Sequence, residues 1–163
     1  MDDFSFIRYS DSDFNGDKET GVSTLGYAMS LGSRVVSWIS RKQSVLADST
    51  TEVEYVATAE ATKEIVWLGK ILEDLEVKQV QSTPLMIDNT SALKLAKNPK
   101  FHDRTKHINT KYHLIQHHVE AKTIHLRHCS TNEQIANIFT KVLGREKLEK
   151  FKTVLGLTNI PSD

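Results

Sequence analysis

Three acidic residues occupy positions from which predicted secondary structure would bring them to one edge of a sheet. Asp11 ends the first strand-like stretch of the chain, and Asp88 ends the fourth. Glu54 heads the apolar stripe of a helix that the periodicity predicts over residues 50–75. Clustered carboxylates are hard oxygen ligands that can hold two divalent ions about 4 Å apart, one activating a water and one stabilising a leaving oxygen. These residue types are therefore those of a two-metal hydrolytic site.

Each acid also has an ordinary structural explanation. Asp11 lies in a Ser-Asp-Ser-Asp run and can cap a turn. Glu54 lies near a predicted helix N-terminus, where the helix dipole favours a negative charge. Asp88 precedes a short predicted helix and can cap it. Spacing alone leaves both explanations open for each residue.

The remaining pattern supplies the elements that must position these acids. It predicts strands over residues 22–30, 34–39 and 123–128, helices over residues 91–97, 108–120 and 146–155, and a helix from about Thr131 through Val142. Hairpin-linked strands followed by crossover helices predict an α/β fold in which helices pack on a mixed sheet.

Length and composition favour one globular domain. The 163 residues predict a single domain over 1–163, with a core from about 4 to 157. The 21 basic and 21 acidic residues balance, which argues against an indiscriminate electrostatic nucleic-acid binder. The sequence predicts neither a membrane-spanning helix nor a secretory signal.

Basic residues are nevertheless concentrated in one stretch, residues 94–113. This stretch includes Arg104, Lys106, His107 and Lys111. Such a segment can contact phosphates without distinguishing base sequence, and it can equally be a solvated helix face with a basic loop.

Six short motifs occur in order along the chain. They are Tyr-Ser-Asp-Ser-Asp at 9–13, Val-Ser-Trp-Ile-Ser-Arg-Lys-Gln at 36–43, Ser-Thr-Thr-Glu-Val-Glu-Tyr at 49–55, Ile-Asp-Asn at 87–89, Thr-Lys-His-Ile at 105–108 and Ile-Phe-Thr-Lys at 138–141. Together they resemble the RNase H domain of copia-type retrotransposon polyproteins. The resemblance extends from residue 9 to about 157.

The resemblance implies an RNase H-like fold with a five-stranded mixed sheet flanked by helices. It implies an endoribonuclease that cleaves the RNA strand of RNA–DNA hybrids with two Mg²⁺ ions, for which Mn²⁺ can substitute. Asp11, Glu54 and Asp88 correspond to the first three of the family's four catalytic acids. The basic stretch would contact the hybrid.

The same resemblance implies a biological context. A reverse transcriptase domain of the same polyprotein would be the partner. The location would be a cytoplasmic replication particle, with the nucleus as the alternative.

The fourth acid of the family is replaced in this chain. The family motif usually has Ala-Asp where this sequence has Ala136 and Asn137. An amide keeps one carbonyl oxygen but lacks the negative charge, so affinity for the second ion should fall. Glu133, one turn earlier on the predicted helix, would replace part of that charge. Two functions follow: a weakened nuclease, or a non-catalytic nucleic-acid-binding module repurposed from a retroelement. The three intact acids favour the nuclease.

Overall fold

A computed structural model describes residues 6–44, 46–77, 81–97 and 106–159, except for the side chains of residues 106–108. In chain order the elements are β1 (Phe6–Asp13), β2 (Thr24–Leu31), β3 (Arg34–Lys42), α1 (Thr50–Asp74), β4 (Thr83–Ile87), α2 (Thr90–Lys97), α3 (Lys106–Glu120), β5 (Ile124–His128), a 3₁₀ helix (Ile135–Phe139) and α4 (Arg145–Val154). The α/β class and the five strands predicted from the sequence are confirmed.

The five strands form one mixed sheet with β1 at its centre. The order is β3-β2-β1-β4-β5. Strands β1, β2 and β3 pair in antiparallel fashion, whereas β1 with β4 and β4 with β5 are parallel. Because parallel strands end at the same edge, this order brings Asp11 of β1 and Asp88, directly after β4, to one side of the sheet.

Helix α1 crosses the sheet from this edge. Its N-terminus is capped by Ser49, whose hydroxyl accepts a hydrogen bond from the Glu52 amide at 3.2 Å. Ala57, Ala61 and Ile65 repeat at steps of four and are buried, so one face of the helix packs on the sheet. Although α1 has 25 residues, no helix in the described part of the chain is long and apolar enough to cross a membrane.

Two apolar clusters cover the two faces of the sheet. Helices α1, α2 and α3 pack on one face around buried Met29, Leu85 and Ile115. The 3₁₀ helix and α4 cover the other face through buried Ile135 and Phe151. Helices on both faces satisfy the layer arrangement expected for a mixed sheet.

The predicted helix from Thr131 through Val142 is wrong. Only the 3₁₀ helix forms there, and Val142 is fully exposed. The buried Gln134 amide donates to the Ser10 carbonyl oxygen at 2.8 Å, and its Oε1 accepts from the Ala136 amide at 3.3 Å. These side-chain bonds fasten the segment to β1 and interrupt a regular helix, so tertiary contacts override the apolar periodicity.

Candidate active site

Asp11 lies within the central strand, not in a turn. It is paired with Gly26 of β2, and only 1% of its surface is exposed. Its carboxylate accepts a hydrogen bond from the Thr140 hydroxyl and lies 3.2 Å from the Lys141 ammonium nitrogen. The strand pairing excludes the turn-capping explanation and places a buried carboxylate at the sheet edge.

Glu54 faces the sheet from the second turn of α1 and is 2% exposed. The Ser12 hydroxyl donates to Oε2 at 2.9 Å. The other oxygen, Oε1, is buried and has no hydrogen-bond partner among the described residues. A stabilising role at the helix N-terminus would place the acid near solvent, as at Glu52 in the first turn. Burial therefore argues against that explanation for Glu54.

Asp88 follows β4 directly and is half-buried. Its neighbour Asn89 caps α2, because its side-chain oxygen accepts a hydrogen bond from the Ala92 amide at 2.9 Å. The capping role is thus taken by Asn89, and the Asp88 carboxylate turns to the other acids.

The three acids converge. One carboxylate oxygen from each of Asp11, Glu54 and Asp88 lies within 4.8 Å of the others. They line an open cavity of about 300 Å³. Burial raises the pKa of Glu54 well above its usual value, and the negative charges of Asp11 and Asp88 raise it further. Like charges brought this close are unfavourable unless a cation joins them.

Asn137 lies beside this cluster and is 1% exposed. Its Oδ1 accepts a hydrogen bond from Lys141 Nζ at 3.0 Å, and its Nδ2 donates to the Thr131 carbonyl oxygen at 3.0 Å. Lys141 Nζ also lies 3.2 Å from Asp11 Oδ2. The Asn137 side chain is therefore linked to the Asp11 carboxylate by the Lys141 ammonium group, which contacts both.

The surroundings of Asp11 shift its pKa in opposite directions. Burial raises the pKa of Asp11, whereas the charge of Lys141 and the Thr140 hydrogen bond lower it, and the net shift is upward. Lys141 thus offsets only part of the negative charge at the cluster.

The residues present fit a divalent cation. Hard carboxylate oxygens from three different elements meet at one point. The buried Glu54 Oε1, which lacks a partner among the described atoms, supplies an uncommitted ligand. Asp11, Glu54 and Asp88 are therefore the residues that would hold metal, while the Asn137 oxygen is occupied by Lys141.

Sequence reasoning missed the residues that support Asp11. Thr140 and Lys141 belong to a recognised motif, but only the structure shows them contacting the Asp11 carboxylate. Gly26 permits this contact, because a Cβ there would lie 2.8 Å from Thr140 Cγ2 and 3.0 Å from Phe139 Cβ. No local signal in the sequence joins residue 26 to residue 140.

Glu133 does not replace the fourth carboxylate. It precedes the 3₁₀ helix, is exposed, and its carboxylate accepts a hydrogen bond from the Ser130 hydroxyl at 3.1 Å. The expectation that it shares a helix face with Asn137 was wrong because no regular helix forms there.

The structure describes only part of the basic stretch at residues 94–113. Arg104 lies outside the described residues, as do the side chains of Lys106 and His107, so their predicted contacts with substrate stay predictions. Lys111 lies on α3, where its Nζ is 3.4 Å from Glu60 Oε1 of α1. A phosphate at Lys111 would have to compete with that carboxylate.

Solved structures identify the fold of the chain. LC11-RNase H1 in complex with an RNA/DNA hybrid matches with a TM-score of 0.62 and 13% identity, covering 90% of this chain and 98% of that chain. The RNase H1 of the archaeon Halobacterium salinarum matches with a TM-score of 0.57 and 15% identity, covering 90% and 98%. The chain has the fold of ribonuclease H.

Sequence relatives identify the lineage, although no family model matches the chain. The retrovirus-related Pol polyprotein from transposon RE1 of Arabidopsis thaliana is 38% identical over 157 residues, which is 96% of this chain and 11% of that protein. The corresponding polyprotein from transposon TNT 1-94 of Nicotiana tabacum is 38% identical over 149 residues, 91% of this chain and 11% of that protein. The chain is homologous to a short part of the Pol polyproteins of copia-type retrotransposons, which confirms the resemblance.

Proposed function

We propose that the protein is a metal-dependent endoribonuclease that cleaves the RNA strand of RNA–DNA hybrids during retrotransposon replication. The observation that carries this proposal is the convergence of Asp11, Glu54 and Asp88 within 4.8 Å at the edge of an RNase H sheet. The substrate class is supported by the similar fold of LC11-RNase H1, which was solved with an RNA/DNA hybrid.

The chain's own residues would divide the work at the site. Asp11, Glu54 and Asp88 would hold two Mg²⁺ ions, or Mn²⁺ in their place, and Ser12 fixes the orientation of the Glu54 carboxylate through its 2.9 Å hydrogen bond. When bound, the ions supply an activated water and stabilise the leaving 3′ oxygen, which leaves 3′-hydroxyl and 5′-phosphate ends. Lys141 balances part of the charge of Asp11, and Asn137 orients Lys141.

The hybrid would be held by contacts that do not distinguish base sequence. Arg104, Lys106, His107 and Lys111 are proposed to contact backbone phosphates, since a hybrid nuclease must accept many sequences. A reverse transcriptase domain of the same polyprotein would deliver the hybrid. We place this activity in a cytoplasmic replication particle, with the nucleus as the alternative.

Cleavage of a labelled hybrid tests the proposal directly. A 5′-labelled RNA strand annealed to DNA should be cut internally in Mg²⁺ or Mn²⁺, while the matching RNA duplex stays intact. Asp88→Asn should abolish cleavage, because it removes a ligand at a rigid strand end. The matched control is Asp74→Asn at the far end of α1, which should cleave normally. A wild-type protein that binds hybrid but never cuts it would refute the nuclease.

The second candidate is a non-catalytic module that binds nucleic acid. The observation that favours it is Asn137, which removes one negative charge where the family usually has an acid. This candidate predicts hybrid binding that is unchanged by EDTA and by Asp88→Asn. The nuclease predicts that divalent ions strengthen hybrid binding and that Asp88→Asn removes this effect.

A further inference from the structure

A second cavity lies at the opposite end of the sheet from the carboxylates. It has a volume of about 510 Å³ and is lined by the start of β1 and β4 and the C-terminal parts of α1 and α3. Arg8 lines it three residues before Asp11 on β1, which corresponds to about 10 Å along the strand. Nothing in the proposed nuclease chemistry uses this cavity.

Arg8 is the most unusual residue of the cavity. It is 1% exposed, and its guanidinium donates one long hydrogen bond of 3.4 Å to the Phe6 carbonyl oxygen. Its Nε is buried and has no partner among the described residues. Burial removes the guanidinium from water and lowers the pKa of Arg8 to about 8. The guanidinium lies over the Phe6 ring, 2.8 Å from the ring centroid, and among the described residues it forms no ion pair with a carboxylate. Such a buried charge would be stabilised by an anion.

His118 contributes a second uncommitted atom to the same cavity. Its Nδ1 is buried and has no hydrogen-bond partner among the residues described. Burial and the neighbouring His117 lower the pKa of His118, which favours the neutral ring, and a neutral imidazole can donate from one nitrogen. Glu54 Oε1, at the proposed metal site, is another atom of this kind. A buried polar atom without a partner calls for an explanation, and the cavity that Arg8 and His118 line is where a ligand could supply one.

The rim of the cavity is positively charged. Lys70 of α1 and Lys122, just after α3, are exposed and line it together with one acid, Glu73. Among the described lining residues, Arg8 and the two lysines give three positive charges and Glu73 one negative charge, a net charge of +2. A phosphate monoester carries about −1.5 to −2 at neutral pH. Guanidinium and ammonium groups together are the donors that phosphate oxygens prefer.

We propose that this cavity is a binding site for the phosphate group of a small phosphorylated molecule. Arg8 and His118 contact the phosphate at the floor, and Lys70 and Lys122 neutralise it at the rim. Aliphatic Ile65 and Val66 form a wall that accommodates the organic part of the ligand. A volume near 510 Å³ is in the range of nucleotide-sized ligands. The inference is independent of the nuclease, since it shares no residue with the carboxylate cluster.

Nuclear magnetic resonance can observe the key atom. In the ¹⁵N-labelled 163-residue chain, the Nε–H signal of Arg8 should shift saturably when inorganic phosphate or a nucleoside 5′-monophosphate is added at constant ionic strength. Tighter binding of the nucleotide would identify an organic ligand, whereas equal binding would identify free phosphate. Sodium acetate is the comparison anion. An acetate affinity equal to that of phosphate, or no saturable shift with phosphate, would overturn the proposal.

Rim substitutions give effects of opposite sign that a structural role would not produce. Lys70→Ala and Lys122→Ala should each weaken phosphate binding about threefold, and Glu73→Gln should strengthen it by a similar factor. Arg8→Met should abolish binding while leaving a folded protein, because an uncompensated buried charge is replaced by an apolar side chain of similar length. Lys18→Ala, an exposed lysine outside the cavity, is the matched control. If Lys18→Ala weakened phosphate binding as much as Lys70→Ala, the loss would reflect the net charge of the protein and not a specific site, and the proposal would be refuted.

Discussion

Lys141 extends its ammonium group to within 3.0 Å of the side-chain oxygen of Asn137. An acid at this position would form an ion pair with the lysine, but the amide can only accept a hydrogen bond. The full positive charge of Lys141 is therefore directed at Asp11, 3.2 Å away. The lysine thus competes with the divalent ion that the same carboxylate would bind.

Removing that charge should strengthen metal binding. In Lys141→Met, Mg²⁺ affinity measured by calorimetry should rise about fivefold to tenfold, because Asp11 no longer has an internal counter-ion. The metal-free variant should also melt at a lower temperature, since the acids repel one another without compensation. Lys18→Met, an exposed lysine that does not line the carboxylate cavity, is the control. Unchanged Mg²⁺ affinity in folded Lys141→Met would show that the ammonium does not compete with the metal.

Restoring the acid at position 137 should raise nuclease activity. Asn137→Asp should increase hybrid cleavage, most at low Mg²⁺, because the missing charge limits ion affinity more than it alters the bound geometry. Cleavage rates across a Mg²⁺ titration measure this, with a melting curve for each variant. Asn137→Ala is the matched variant that removes the oxygen without adding charge. A folded Asn137→Asp protein that stays inert at every Mg²⁺ concentration would favour the non-catalytic module.

The metal-free protein should lose stability as the pH rises. The pKa of Glu54 is raised in the folded state by burial, then by Asp11 and Asp88, so the folded state binds more protons than the unfolded chain. The free energy of unfolding must then fall as the pH increases from about 4.5 towards the raised pKa. Urea unfolding in EDTA over a pH series measures this dependence.

Glu54→Gln is the control for this pH dependence, and Mg²⁺ should restore stability only in the wild-type protein. The amide cannot ionise, so the variant should be less sensitive to pH in this range. Asp11 contributes in the same direction because its pKa is also raised, chiefly by burial. If the free energy of unfolding of the wild-type protein increased with pH over this range, the predicted clustering of buried carboxylates would be contradicted.

Adding one methyl group at Gly26 should displace Thr140, whose hydroxyl donates a hydrogen bond to the Asp11 carboxylate. In Gly26→Ala, the new Cβ would contact Thr140 Cγ2 at 2.8 Å and the Ile39 carbonyl oxygen at 3.3 Å. We expect a loss of about 1–3 kcal/mol in unfolding free energy and weaker Mg²⁺ binding. Gly69→Ala is the matched substitution, because its Cβ meets nothing within 4 Å in helix α1. That variant should be about 0.5–1 kcal/mol more stable. Equal stability of the two variants would refute the close packing at Gly26.

The basic stretch should bind the hybrid without regard to its sequence. Arg104→Ala and Lys106→Ala should each weaken binding equally for different hybrids and reduce the salt slope by about one. Lys111→Ala should have a smaller effect, since Glu60 already holds its ammonium at 3.4 Å. Fluorescence anisotropy over a salt series measures both quantities. Unchanged binding of the Arg104 and Lys106 variants at low salt would remove this stretch from the interface.

The sequence predicted the acids better than their surroundings. Local periodicity predicted strand ends for Asp11 and Asp88 and a sheet-facing helix stripe for Glu54, but it left capping explanations open, and the family resemblance was needed to assign the three acids to one site. The contacts of Thr140 and Lys141 with Asp11 could not be predicted, because they join residues 129 and 130 positions apart and depend on close packing at Gly26. The predicted helix after Thr131 failed for the same reason. The Gln134 side chain donates a hydrogen bond to the Ser10 carbonyl oxygen, 124 positions away, and local periodicity cannot reveal such a contact.

These long-range contacts have a consequence for the order of folding. The bond from Thr140 to Asp11 closes a loop of 129 residues, and loops of this length form slowly because their closure sacrifices much chain entropy. The first four strands and α1 can therefore assemble before the segment after β5 completes the surroundings of Asp11. During synthesis from the N-terminus, the carboxylates would meet while Lys141 is still absent. The newly made domain would pass through a stage in which its acids bind cations more tightly than they do in the finished protein.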